Sequence, residues 1–110
     1  MFKINKVHNI KELVEVIRSK NAGPFELTFD MIFKDFATYN QVKKTNQINK
    51  HRIAKLYGIP EKDVISIIYY DPAKAIKVNI IRPRSAGAVG ESDVYGAQQY
   101  SPLLEIELEL

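Results

Sequence analysis

The chain has 110 residues, 45% apolar and 26% charged, the composition of one ordinary globular domain, residues 1–110, long enough to bury its own core. A formal net charge of +3 is too small to point to nucleic acid, and the absence of cysteine excludes disulfides, thiolate catalysis and cysteine-ligated metal sites within it. No apolar run is long enough for a membrane span and Met1 to Val7 lacks the apolar centre of a signal peptide, so a cytoplasmic location is expected.

Asn9 can cap a helix, with Glu12 placed to reach back to the Asn9 amide. Ile10, Leu13, Val14 and Ile17 then recur at helical spacing, and Gly23 and Pro24 supply a stop. This predicts an N-terminal helical extension over residues 1–22. From Phe25 the period changes to two. Phe25, Leu27, Phe29, Met31 and Phe33 share one face, and Glu26, Thr28 and Asp30 share the other, as in a strand with one buried face.

Asp35 can cap a helix with Phe36, Tyr39 and Val42 on one face, interrupted at Asn46 and Asn49, and a second helix is expected from Lys50 to Tyr57 before Gly58 and Pro60. Two β-rich runs, 63–70 and 75–81, flank the turn residues 71–74 and predict a hairpin. Residues 82–93 form one long irregular segment, 94–100 a short helix capped by Asp93, and 104–110 a closing strand of alternating Leu or Ile and Glu.

Beyond the N-terminal helix, this order predicts an α+β, ferredoxin-like βαββαβ sandwich with a four-stranded antiparallel sheet ordered 4-1-3-2. In that topology the closing strand flanks the first one. Glu105, Glu107 and Glu109 would then lie beside Glu26, Thr28 and Asp30, two acidic rows that need solvent or a cationic partner surface. Such a face repels phosphate and lacks the aromatics of an RNA-binding sheet, so no nucleic-acid partner is expected.

Two motifs carry candidate chemistry. Arg18, Ser19, Lys20, Asn21 and Gly23 offer two cations, a hydroxyl, an amide and a glycine, suited to binding a carboxylate or phosphate. A capped helix end with solvated charges is the equal alternative. Asp93, Tyr95, Gln98 and Gln99 follow Arg82 and Arg84, with Asp93 as a candidate base and Tyr95 as a candidate acid or donor. Their alternative is a helix cap, a core tyrosine and surface amides. Both motifs are expected to leave the same end of the sheet and line one cleft. His8 and His51 have no metal-ligand spacing, and neither a metal nor a cofactor is expected.

The segments 17–25, 27–30, 56–58, 75–78 and 93–99 together resemble a family of small prokaryotic proteins of unknown function. That family is related to the C-terminal ferredoxin-fold domain of acyclic terpene utilisation (AtuA-like) proteins. The larger relatives carry Arg-Ser-Gly-Asp-Lys-Gly at the first motif; Arg18, Ser19 and Gly23 match it, whereas Lys20 and Asn21 replace its acid. The resemblance implies a small subunit working with an AtuA-like partner on a carboxylate or coenzyme A thioester, in hydratase- or lyase-like chemistry. A non-catalytic assembly or dimerisation module, using the open face of its sheet in a homo-oligomer, is the second expectation.

Overall fold

The computed structural model describes residues 6–23, 25–81 and 101–110. A strand β1 (Val7–Asn9) leads into one helical turn, α1 (Ile10–Leu13), and then into strands β2 (Val14–Asn21) and β3 (Glu26–Phe33). Helices α2 (Phe36–Thr45) and α3 (Lys50–Tyr57) follow, then the hairpin β4 (Val64–Tyr70) and β5 (Ala75–Ile81), and finally β6 (Glu107–Glu109). Four strands form an antiparallel sheet in the order β2-β3-β5-β4, and β1 pairs with β6 in a separate two-stranded ribbon.

The α+β class and the antiparallel pairing agree with the sequence reading, and so does the order of the three strands from β3 through β5 to β4; the described strands form two sheets and do not reproduce the ferredoxin-like arrangement. Two placements differ. The edge position beside β3 belongs to β2, and the C-terminal strand sits in the ribbon. The expected N-terminal helix is a single turn. Its capping box does form: Asn9 Oδ1 accepts from the Lys11 amide at 2.8 Å, and the Asn9 amide donates to Glu12 at 3.0 Å. The chain then turns extended at Val14, where β-branched side chains disfavour continued helix.

A bulge explains the misleading periodicity. The β2–β3 register shifts between Val14 and Val16, so Val14 pairs with Phe33 and Ile17 with Met31, placing both on the buried side of the sheet. Two core residues three positions apart look like a helix face. In this strand they mark an extra residue, Glu15.

One side of the sheet is the core. Leu27, Phe29, Met31 and Phe33 of β3 and Ile76, Val78 and Ile80 of β5 are fully buried there, against Tyr39 and Val42 of α2 and Ile53 of α3. Each such large apolar side chain contributes about 1.5–3 kcal/mol. Phe25, expected on this face, lies in the turn before β3 and is 60% exposed. The helices start and stop where their caps say. Asp35 accepts from the Thr38 amide at 2.7 Å and Asn49 from the Arg52 amide at 2.9 Å, and left-handed Asn46 and Gly58 end α2 and α3.

Polar ties lock the layers together. The Tyr69 hydroxyl donates to the Ile48 carbonyl at 2.8 Å, and the Tyr39 hydroxyl to Asp71 at 2.6 Å. The ribbon is held from the helix side. Gln47, between α2 and α3, donates through Nε2 to the Glu109 carbonyl at 2.7 Å and accepts the Glu109 amide through Oε1 at 2.8 Å. Its amide thus bonds β6 as a neighbouring strand would. Arg52 adds donation to the carbonyls of Gln47 and Glu107.

Candidate ligand face of the sheet

The other side of the sheet carries the candidate site, because alternation sends the remaining side chains of all four strands there. Cross-strand register arranges them in rows. Val16, Ile32, Ala75 and Tyr70 make one; Arg18, Asp30, Lys77 and Ile68 the next; Lys20, Thr28, Asn79 and Ser66 the third. Glu26 and Ile81 follow beyond. The two middle rows are polar apart from Ile68, and Ile68, together with Val16, Tyr70 and Ile81 of the flanking rows, is more than a third exposed.

Arg18 and Asp30 form the centre. Arg18 Nε donates to Asp30 Oδ2 at 3.2 Å; the arginine side chain is 65% exposed and the aspartate side chain 9%. The aspartate therefore works as a nearly buried anchor. It binds the guanidinium through Nε and leaves the outer part of that group at the surface. The other carboxylate oxygen, Asp30 Oδ1, is buried without a hydrogen-bond partner. Lys77 is opposite Asp30 in register, but its Nζ lies over the Tyr70 ring, 5.9 Å from the centroid. In the third row Thr28 Oγ1 donates to Asn79 Oδ1 at 2.6 Å, and Asn79 Nδ2 donates to Ser66 Oγ at 2.8 Å. Among the described residues the face thus holds three cations, Arg18, Lys20 and Lys77, against Asp30 and Glu26, next to a chain of fixed dipoles.

This overturns the expectation of two adjacent acidic rows. β2, not the acidic C-terminal strand, lies beside β3, so Asp30 is flanked by Arg18 and Lys77. Electrostatics favour the arrangement, since opposite charges across a strand pair stabilise and like charges do not.

The first sequence motif is redistributed by the same pleat. Arg18 and Lys20 share the open side, whereas Ser19 and Asn21 pair in register with Phe29 and Leu27 on the core side. Gly23 is in the turn joining β2 to β3, with φ at +115°, a conformation suited to glycine. The five residues therefore belong to a hairpin, not to a helix end, and only the two cations combine. Asp93, Tyr95, Gln98 and Gln99 lie outside the described residues, as do Arg82 and Arg84. Asp30, the anchor, and Ser66, the end of the polar row, were not read from the sequence as site residues; both depend on which strands are neighbours.

Elsewhere the titratable groups serve the scaffold. Hydrogen bonds from Tyr39 and Lys43 hold the Asp71 carboxyl below its usual range, and the Thr38 amide does the same for Asp35. Burial pushes the Tyr57 and Tyr69 hydroxyls up. His8 faces Glu12 at 3.9 Å and His51 faces Glu61 at 3.4 Å. A groove of about 370 Å³ runs between α3 and the segment before β6, lined by Arg52, Lys55, Leu56, Glu105 and Ile106. No helix among the described residues is long and apolar enough to cross a membrane.

Comparison with curated proteins and with solved structures gives no match. A family model does match, over residues 10–107, which is nearly the whole chain and includes every strand of the four-stranded sheet. The chain belongs to the family described as Domain of unknown function (DUF4387).

Proposed function

We propose that the open side of the four-stranded sheet binds an anion, a carboxylate or the phosphate-bearing part of a coenzyme A thioester. The chain would act in the cytoplasm as the small subunit of a two-component metabolic enzyme. The observation supporting this is the Arg18–Asp30 pair. A nearly buried carboxylate holds an arginine that keeps 65% of its side chain exposed, with Lys20 two residues along the same strand face. An exposed arginine fixed in one orientation loses less freedom on binding than a free one, which favours planar, two-point recognition of an anion. The AtuA-like partner, the hydratase- or lyase-like chemistry and the candidate roles of Asp93 and Tyr95 come from the sequence resemblance and are part of this proposal.

Calorimetric titration of the chain with a short branched carboxylate and with its coenzyme A thioester tests the binding. Arg18→Gln is expected to weaken it about 10- to 100-fold, the usual worth of a hydrogen-bonded ion pair. No binding by the unaltered chain, or equal binding by Arg18→Gln, overturns the reading. Native mass measurement after co-expression with an AtuA-like protein tests the partnership.

A second reading draws on the same face. Ile68, Tyr70 and Ile81 expose apolar surface beside the polar groups, which favours use of this side in assembly with a partner subunit.

A further inference from the structure

Among the described residues the sheet has two edges, β2 and β4. Edge strands expose unpaired backbone groups, and soluble proteins blunt them with charge, proline or bulges. β2 follows this rule: its eight residues include Glu15, Arg18 and Lys20, and it carries the bulge at Glu15. β4 does not. Its seven residues, Val-Ile-Ser-Ile-Ile-Tyr-Tyr, contain no charge and no proline, and among the described residues its one strand neighbour is β5. Ile65, Ile68 and Tyr70 are 43%, 47% and 47% exposed. The β4 bulge, between Val64 and Ser66, lies at the start of the strand and leaves Ser66–Tyr70 regular.

We propose that β4 is a dimerisation edge, pairing antiparallel with β4 of a second copy about a two-fold axis at Ile68. Backbone hydrogen bonding selects the kind of occupant, because an unpaired strand edge is completed by another extended strand. Charge selects which strand. Centred on Ile68, the pairing sets Ile68 against itself, Ser66 against Tyr70 and Ile67 against Tyr69. No charge is desolvated and no like charges meet, and aromatic–β-branched pairs are favourable neighbours. A second copy's β2 is the wrong occupant. It would set Arg18 and Lys20 against an apolar strand, and β2-to-β4 contact runs head to tail, which does not close on itself as a two-fold pair does. The two sheets become one of eight strands. Ile68 and Tyr70 from both copies then form a central apolar strip on the open side, with an Arg18–Asp30 pair toward each outer edge.

The test is sedimentation of the full chain across a range of concentrations. The unaltered protein is expected to form dimers. Ile68→Lys brings like charges face to face at the axis and lowers the association constant about tenfold or more. Val16→Lys, on the opposite edge, leaves it unchanged. A monomer at every concentration, or equal effects of the two substitutions, overturns the proposal. Because the chain has no cysteine, a single introduced thiol gives a second readout that does not require a folded lysine variant. On mild oxidation Ile68→Cys is expected to form a covalent dimer, since directly opposed strand residues lie within disulfide reach. Val16→Cys is not. The reverse pattern, or no cross-linking at Ile68→Cys, rules the axis out. Neither readout involves the anion, so failure here leaves the ligand reading standing.

Discussion

β2 and β4 flank the same two central strands, yet one is written in charged residues and the other without any. The contrast is not one of burial alone, since each strand has one buried residue, Val14 or Val64, with Ile17 of β2 and Ile67 and Tyr69 of β4 partly buried against the core. It lies in what each edge offers a neighbour. On β2 the cations are aimed at the open face and one is fixed by Asp30, so the strand repels another edge while presenting a binding group. On β4 the open-face residues, Ser66, Ile68 and Tyr70, carry no charge, and the cation Lys77 is one strand back against Tyr70. On the two proposals above, a single sheet would separate recognition of a small anion from recognition of another strand.

The largest way to break this division is to remove the support common to both edges. Phe29, fully buried on β3 and stacked 5.2 Å from Tyr57, loses about 3–5 kcal/mol on substitution by alanine, measurable as a fall in the denaturation midpoint. Both edges should fail together. A sharper experiment makes the edges alike. Replacing Arg18 by Val and Lys20 by Thr strips β2 of its cations, and about a tenfold rise in concentration-dependent association is expected by sedimentation. Unchanged association would mean that the bulge at Glu15, not charge, guards this edge.

The smallest effect concerns acid. Asp71 ties the β4–β5 turn to α2 through Tyr39 and Lys43 (2.6 and 2.9 Å), and these contacts hold its carboxyl below the ordinary value of 3.8. A depressed folded-state value means the stabilisation is complete above 3.8 and is lost as pH falls through the folded value. Thermal unfolding followed between pH 6 and 2 should therefore show a shallower acid limb for Asp71→Asn than for the unaltered chain (pH range as roughly spans carboxylate titration).

Local signals carried much of the fold. The alternation of β3, the Asp35 cap of α2, the Gly58 stop of α3, and the turn at 71–74 each depend on near neighbours in the chain, and each matches the structure. Two failures share a cause. The bulge at Glu15 gave core residues a helical spacing, and only pairing with β3 shows it to be a strand. The alternation over 104–110 marks extended chain only at Glu107–Glu109, since Ser101–Glu105 form a 3-10 helix, and periodicity carries no information about which strand it joins. The candidate site suffered likewise. Arg18 and Lys20 were visible as cations in one segment, whereas their separation from Ser19 and Asn21, and the carboxylate beneath Arg18, follow from pleat and register. Charge type was legible. Adjacency was not.

The Gln47 amide that bonds to both sides of Glu109 has a kinetic consequence. The ribbon it completes joins positions about a hundred residues apart, so among the described strand pairings its closure carries the largest loop-entropy cost and is expected late in folding. Three residues per strand are too few to hold by themselves, and Gln47 takes up its place only when α2 and α3 already flank it. The side chain therefore acts as a latch that engages last, making amide exchange at Glu109 a reporter of whether the whole helical layer has docked.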